Sequence, residues 1–389
     1  MELLRELRSL AESGSWGSPM VSVYADTRWR DESQRERVRI FWANARQRAR
    51  ADGVPEAALA PIDAQIESIF RRGPGVPAVA LFSGVGRFRM LGLPRGVGQL
   101  AFWDERPILL PLARAVSISE RVLAVSIGAK VSRLFELEGP LVRANLELLR
   151  EDFPGRHERG GFSQPNFERH IREHIRWELE AVLRALVEFF DREPCQVLVF
   201  GTPQMNGMFL EMLPQRIRAR TEMLEALGGD PARAEHEVVE RVDAFLDRRR
   251  REQTYDLERR VYREAMAGRE GVLGAEDVIL ALAEGRVHEL LIADGFECYG
   301  AECLRCGALD IKRLTGCAYC GGPVRLGNLA EPMVNRAVRA GTHVRFMPAS
   351  GRHVGVGGVA ALLRPTRGPG WQSLGRENHL EDLTVGRRM

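Results

Sequence analysis

A paired-glycine segment flanked by cations is the part of the chain whose residue types and spacing could do chemistry. Residues 156–164 read Arg-His-Glu-Arg-Gly-Gly-Phe-Ser-Gln, so Gly160 and Gly161 stand just before Gln164. Consecutive glycines let a backbone approach another molecule closely, because no side chain intervenes. The segment therefore indicates a loop that reaches a polyanionic partner at close range. The flanking cations that suit such a partner are Arg156, His157 and Arg159.

Four cysteines occur in two pairs with the spacing of a tetrahedral metal site. Ten residues separate the pairs, which are Cys303 with Cys306 and Cys317 with Cys320. Two such knuckles can offer four thiolates to one zinc ion, and in a cytosolic chain this pattern favours zinc over disulfides. No histidine lies at ligand spacing, so we predict a structural rather than a catalytic zinc. Free reduced thiols or a metal-free ribbon are the alternatives.

The residues after the glycine segment form an amphipathic helix, predicted over residues 165–190. Apolar side chains recur at three- and four-residue steps and give one buried stripe, which comprises Phe167, Ile171, Ile175, Leu179, Val182, Leu186 and Phe190. Three arginines fall off this stripe, at Arg169, Arg172 and Arg176. They could form a solvated face paired with neighbouring glutamates or, beside the glycine segment, contact phosphates. We predict phosphate contacts.

A second basic run lies in a charged helix that is predicted over residues 231–266 with one interruption. Residues 248–251 of this helix are four consecutive arginines. A solvated connector is the first interpretation of such a run. The alternative is a stripe that faces RNA.

The order of strands and helices predicts an α/β (α+β) protein of three domains. The first domain, residues 1–115, combines helices at 31–51 and 55–72 with several strands, the last of them at 108–112.

The second domain, residues 116–255, has three strands in hairpin succession, the long helix and a further strand. Together these predict a mixed sheet covered by helices. The third domain, residues 256–365, alternates helices and strands around the cysteine-rich insertion at 298–328. Residues 366–389 are predicted to form a mobile tail.

Composition excludes several classes of protein. The chain has 389 residues and a net charge of +3, and no apolar run approaches the ~20 residues of a membrane-spanning helix. Its charged start does not resemble a signal peptide. We therefore expect a cytoplasmic protein with no membrane partner. No phosphate-binding or dinucleotide-binding motif is present in the sequence.

The glycine segment, together with the strands at 287–293 and 357–364, resembles the bacterial branch of the archaeo-eukaryotic class-one release factor and Pelota family. That family carries a Gly-Gly-Gln loop, which the bacterial branch relaxes to the Gly-Gly-x-Ser-Gln found at residues 160–164. The resemblance implies an RNase H-like middle domain. It also implies that the third domain is an α/β sandwich with an inserted zinc ribbon.

The resemblance implies an activity, the hydrolysis of peptidyl-tRNA. In the family the glutamine positions the attacking water, a role that falls here on Gln164. Ser163 would orient that glutamine, and Gly160 and Gly161 would permit the turn. The implied partners are the ribosomal RNA of the peptidyl-transferase centre and A site, and tRNA. Delivery by a translational GTPase such as elongation factor Tu is left open.

Two further interpretations remain, and whether the protein is an enzyme stays open between them and the first. Phe162 and Ser163 separate Gln164 from the glycines, and the first domain has no counterpart of the family's Asn-Ile-Lys-Ser decoding loop. These departures favour a non-catalytic, Pelota- or Balon-like protein that occupies the A site during ribosome hibernation or stress. A factor that acts on another RNA is the third interpretation. Because the glycine pair and the glutamine are both present, we expect ribosome rescue by hydrolysis without stop-codon recognition.

Overall fold

A computed structural model describes most of the chain. The described residues are 2–14, 16, 19–29, 31–72, 75–128, 131–149, 164–228, 234–312, 315–348 and 357–365, with the backbone alone for 2, 72, 149, 164–175 and 178. The predicted tail at residues 366–389 lies outside the described residues.

The first sheet is antiparallel, with helices on both faces. Its strands run in the order β3-β2-β1-β4 and are β1 (Met20–Asp26), β2 (Ala78–Gly84), β3 (Arg87–Leu93) and β4 (Leu100–Asp104). Side chains alternate between the two faces, as a strand requires. Val21, Val23 and Leu81 pack under α2 (Glu32–Ala51) and α3 (Glu56–Arg72). Tyr24 and Phe82 pack on the opposite face, under α1 (Glu2–Glu12) and α4 (Leu110–Ser117).

The strand predicted at residues 108–112 is wrong, because the segment begins α4 instead. The backbone N–H groups of Leu109 and Leu110 each donate to the carboxylate of Glu331, at 2.7 Å. These bonds satisfy donors that a helix start leaves unpaired. Pro111, in the first turn, has no backbone N–H and therefore needs no acceptor there. The carboxylate at the start of the helix lies more than two hundred residues away in the chain, so the local sequence could not predict this contact.

The second sheet is the mixed sheet that the sequence predicts. Its strands run in the order β7-β6-β5-β8-β9, with β8 parallel to both of its neighbours. They are β5 (Arg121–Ile127), β6 (Val131–Glu138), β7 (Leu141–Leu149), β8 (Gln196–Gly201) and β9 (Thr221–Glu225). The long helix α5 (Gln164–Arg192) covers one face with α6 (Pro203–Met212) and α7 (Gln215–Arg218).

The third sheet has the order β10-β16-β11-β15. Its strands are β10 (Gly271–Leu273), β11 (Val287–Ala293), β15 (His343–Met347) and β16 (Val359–Leu363). Helices α9 (Ala275–Ala283) and α10 (Ala330–Arg339) belong to this unit. A small separate sheet of order β13-β12-β14 is inserted after β11. It is formed by β12 (Tyr299–Cys303), β13 (Leu309–Asp310) and β14 (Val324–Asn328).

The helix α8 (Ala234–Met266) is continuous over 33 residues, so the predicted interruption is wrong. Its sequence contains neither glycine nor proline, and nothing in it breaks the helical hydrogen bonds. Val238, Val242 and Phe245 pack on the second sheet. Leu257 and Val261, nearer its end, pack on the third. The helix is therefore held by apolar contacts towards both ends, and its four consecutive arginines lie between them.

The first and third units share one apolar core. Leu3 and Leu7 of α1 belong to the same buried cluster as Leu112 of α4 and Met333 and Val334 of α10. The three-domain division at residues 115, 255 and 365 stays a prediction, because shared packing does not identify independent folding units.

Glu331, the residue that caps α4, carries a titrating charge at this shared core. Desolvation raises the pKa of Glu331 to about 7, although the N–H donations from Leu109 and Leu110 lower it. The ordinary value is 4.5. Because the pKa is higher in the folded protein, the folded state binds more protons than the unfolded state between these values. The free energy of unfolding therefore falls as the pH rises through that range.

We predict that Glu331→Gln removes this pH dependence. Between pH 5 and pH 8 the wild type should lose about 2 kcal/mol of stability relative to the variant, as expected for a shift of this size. Urea unfolding at both pH values measures the difference. At pH 5 the variant should be the less stable by about 1 kcal/mol, because an amide offers a single acceptor to the two N–H groups. A constant difference between the two proteins across the pH range would contradict the prediction.

Candidate functional site

Two tight turns build the cysteine site at the end of the small inserted sheet. Strand β12 ends at Cys303, and the N–H of Gly307 donates to the carbonyl of Cys303 at 2.9 Å. The second turn repeats this bond between Gly321 and Cys317, also at 2.9 Å. Both glycines have a positive φ, 72° and 66°, which a residue with a side chain rarely adopts. The two turns are therefore equivalent knuckles that each present a pair of thiols.

The four predicted thiols lie together. Their sulfur atoms all lie within 4.8 Å of one another. The Sγ atoms of Cys303 and Cys320 are 3.5 Å apart, and those of Cys306 and Cys317 are 3.6 Å apart. Tetrahedral zinc with ~2.3 Å bonds to sulfur would separate its ligands by about 3.8 Å. The four cysteines could therefore hold a metal ion, and Cys298 lies outside their group.

Backbone donors around the cluster favour thiolate formation. The N–H groups of Cys306 and Arg305 both lie 3.4 Å from the Sγ of Cys303, and they lower its pKa to about 6. The N–H of Tyr319 lies 3.4 Å from the Sγ of Cys317. Although the Ala308 N–H lowers the pKa of Cys306, the neighbouring thiols raise it overall to about 12. Without a bound cation, Cys303 therefore ionises readily, whereas Cys306 resists ionisation.

The inserted sheet is fixed to the first unit by ion pairs that sequence reasoning missed. The guanidinium of Arg325 contacts Asp104 of β4, with both distances 2.8 Å, and Glu302 of β12 at 2.9 Å. Arg106 also pairs with Glu302, which is almost fully buried. These partners are about two hundred residues apart in the chain, and no local motif marks them.

Most of the predicted loop lies outside the described residues. Gly160, Gly161 and Ser163 are among these, as are Arg156, His157 and Arg159. Gln164 is the first residue of α5, and its backbone alone is described. The side chains of Arg169 and Arg172 also lie outside the described set. Arg176 is mostly exposed and pairs with Glu180 at 3.5 Å, which leaves its prediction as an RNA contact untested.

Part of the predicted buried stripe of α5 is confirmed. Leu179, Val182, Leu186 and Phe190 are buried against the second sheet. Leu179 lies fifteen positions after Gln164, which corresponds to about 22 Å along a helix axis. The other residues of the predicted stripe, Phe167, Ile171 and Ile175, have side chains outside the described set.

One arginine of the run at residues 248–251, Arg250, fits neither interpretation made from the sequence. Arg250 is largely buried, contacts Asp247 at 2.9 Å and donates to the carbonyl of Ile118 at 3.3 Å. Desolvation, followed by the charge of Arg95, lowers the pKa of Arg250. Arg95 in turn pairs with Asp247 at 2.9 Å and with Asp243. This part of the run therefore ties α8 to the first unit.

None of the described helices combines the length and the apolar character needed to cross a membrane. No match was found among curated proteins.

The solved structures to which the chain is similar include two archaeal proteins. Pelota from Archaeoglobus fulgidus is 17% identical, with a TM-score of 0.36, over 74% of this chain and 79% of that protein. An archaeal translation termination factor is 19% identical, with a TM-score of 0.23, over 93% of this chain and 97% of that protein.

A family model matches the centre of the chain, from the start of α4 to the middle of α8. Residues 107–247 match bacterial archaeo-eukaryotic release factor family 10. The matched range includes the second sheet, α5 and the Gly-Gly-x-Ser-Gln segment. The centre of the chain, residues 107–247, is therefore similar to the bacterial branch of the archaeo-eukaryotic release factor family.

Proposed function

We propose that the protein acts on ribosomes and hydrolyses peptidyl-tRNA without recognising a stop codon, as a ribosome-rescue or quality-control factor. One observation carries the proposal. Gln164 opens α5 directly after Gly160-Gly161-Phe162-Ser163, inside the range that matches the release-factor family. We place this activity in the cytoplasm, with ribosomal RNA and tRNA as partners. Delivery by a translational GTPase such as elongation factor Tu stays a prediction.

The proposed reaction needs no ionisable side chain of the protein as a general base. Peptidyl-tRNA holds the nascent chain by an ester to the terminal ribose. Its hydrolysis needs a positioned water and donors for the oxyanion that develops on the carbonyl. Gly160 and Gly161 would let backbone N–H groups come close to the ester. Gln164 would hold the attacking water through its amide, and Ser163 would orient that amide.

The length of α5 supports access to a narrow site. Gln164 lies about 22 Å along the helix axis before Leu179, which is buried against the second sheet. A buried ester inside a large ribonucleoprotein requires such a reach. Arg156, Arg159, Arg169 and Arg172 would neutralise phosphates along the path.

An A-site occupant without catalysis is the second candidate. The observation that favours it is the two-residue displacement of Gln164 from the glycines by Phe162 and Ser163. In such a protein the loop would enter the peptidyl-transferase centre but leave the ester intact.

We further propose that zinc is the ion of the cysteine cluster, with a structural role. The support is the equivalence of the two knuckles and the spacing of their four sulfurs. Zinc prefers this tetrahedral thiolate set, and a site closed by four protein ligands leaves no position for a substrate.

We predict about one zinc per chain by metal analysis of the purified protein. Cys306→Ser with Cys320→Ser should abolish zinc binding, because each knuckle then keeps a single ligand. The double variant should also loosen the inserted sheet and leave the second sheet folded. Cys298→Ser is the matched control and should retain the zinc. A wild-type protein free of zinc would contradict the assignment.

We predict that ribosome binding weakens steeply with salt and depends on the arginines around the loop. Arg159→Glu with Arg172→Glu should lower the slope of log affinity against log salt by about 2, since each lost phosphate contact removes a little less than one unit. Sedimentation with ribosomes over a salt series measures the slope. Arg71→Glu with Arg192→Glu makes the same charge change on exposed helical positions elsewhere and serves as control. Equal effects of the two pairs would favour a solvated face at Arg169, Arg172 and Arg176.

We predict that the protein releases peptide from peptidyl-tRNA held in ribosomes or large subunits, with no stop codon present. Gln164→Ala should lower the rate about 10- to 100-fold and leave binding nearly unchanged, because it removes a positioning group and no charge. Gly161→Ala should be at least as damaging, because its methyl group obstructs close approach.

The matched control for the glutamine is Gln215→Ala, an exposed glutamine that also begins a helix. A wild type that binds ribosomes and releases no peptide, with a silent Gln164→Ala, would identify the non-catalytic occupant.

A further inference from the structure

The outer face of α2 carries a concentration of positive charge that the proposed loop does not use. From residue 37 to residue 51 the helix contains five arginines and no carboxylate. The whole chain, by contrast, has a net charge of only +3. Positive charge gathered on one element of a nearly neutral protein is the usual electrostatic sign of a nucleic-acid contact.

The five arginines divide into two groups. Arg46 and Arg39 are engaged within the first unit. Arg46 pairs with Asp63 at 2.8 Å and with Glu56, and Arg39 lies over the ring of Phe70 and pairs with Glu36 at 3.4 Å.

The other three, Arg37, Arg48 and Arg50, are exposed. None of them forms an ion pair with a residue in the described part of the chain. Their charge is therefore available to a partner.

Two of these three arginines, Arg37 and Arg48, belong to an exposed stripe. Val38, Trp42, Ala45 and Ala49 fix the buried side of α2 against the first sheet. Helical periodicity then places a set of residues on the opposite side, all of them exposed. From this set we define the α2 stripe as Arg37, Ile40, Asn44, Gln47 and Arg48. Glu36 lies on the same side, where its carboxylate pairs with Arg39. The eleven helical steps from Arg37 to Arg48 span about 16 Å.

The composition of the α2 stripe favours a double helix over a single strand. Single-stranded nucleic acid is usually held by exposed aromatic rings on which bases stack. In α2 the two aromatic residues, Phe41 and Trp42, face the apolar cluster under the sheet. A duplex presents phosphates in place of bases and meets arginines through charge.

The α2 stripe also carries two amides whose chemistry suits RNA better than DNA. Asn44 and Gln47 lie between the arginines of the α2 stripe, and an amide both donates and accepts hydrogen bonds. The ribose 2′-hydroxyl does the same, and double-stranded RNA is recognised mainly through its phosphates and these hydroxyls. We propose that the α2 stripe is a docking surface for double-helical RNA. The inference deepens the proposed ribosome-associated function by giving the first unit a contact of its own.

The test measures binding of the full chain to a fluorescent 20-base-pair RNA duplex of arbitrary sequence by anisotropy over a salt series. Arg159→Glu with Arg172→Glu forms the background, so that the loop contributes little. In that background, Arg37→Gln with Arg48→Gln should weaken duplex binding about tenfold at moderate salt. It should also lower the slope of log affinity against log salt by about 1.8, the value for two phosphate contacts. Arg71→Gln with Arg192→Gln is the matched control and should change neither.

A second pair of variants tests the choice of nucleic acid. Asn44→Ala with Gln47→Ala should weaken binding to the RNA duplex severalfold and leave binding to a DNA duplex of the same sequence unchanged. A single-stranded RNA of equal length should bind more weakly than the duplex, and the α2 variants should affect it less. Unchanged duplex binding in Arg37→Gln with Arg48→Gln, or an equal loss with single strands, would overturn the proposal.

Failure of the proposed function is separable from failure of this inference. Peptide release and its dependence on Gln164 can be absent while the α2 variants still change duplex binding. Conversely, peptide release can be present and ribosome binding intact in protein whose α2 variants bind the duplex as the wild type does. The second result overturns the α2 stripe alone.

Discussion

The unbroken course of α8 is the constraint on which the arrangement of the units depends. A helix of 33 residues extends for about 50 Å and does not bend without a cause such as proline. Its first half is held by the second sheet and its second half by the third. The distance between the second and third sheets is therefore set by one continuous helix. The first unit contacts α8 through Arg95, which pairs with Asp243 and Asp247. It also shares its core with α10 of the third unit.

Features that depend on nearby residues could be predicted from the sequence. The four cysteines of the cluster fall within eighteen residues, so their spacing alone identifies them. The buried stripe of α5 follows from a three- and four-residue period. Features that depend on distant partners could not be predicted. Helix α4 begins on the carboxylate of Glu331, and the inserted sheet is oriented by Arg325 through Asp104. Both contacts join parts of the chain that only folding brings together.

The interruption predicted in α8 has a different origin. A run of charged residues without an apolar partner breaks the apolar periodicity that predicts a helix. The structure shows that Arg250 replaces the missing apolar contact, because it is buried against Asp247 and the carbonyl of Ile118. A partly buried ion pair thus continues a helix face that hydrophobicity alone would end. Sequence periodicity cannot distinguish such an arginine from a solvated one.

The length of α5 between Leu179 and Gln164 has a mechanical consequence. Over about 22 Å, a tilt of 5° at Leu179 moves Gln164 by about 2 Å. Placement of a reacting water tolerates errors nearer to 1 Å before the rate falls about a hundredfold. The contacts from Leu179 onwards therefore cannot by themselves align Gln164 to that precision. The final alignment must come from contacts made closer to Gln164, either within the chain or on the surface that receives it.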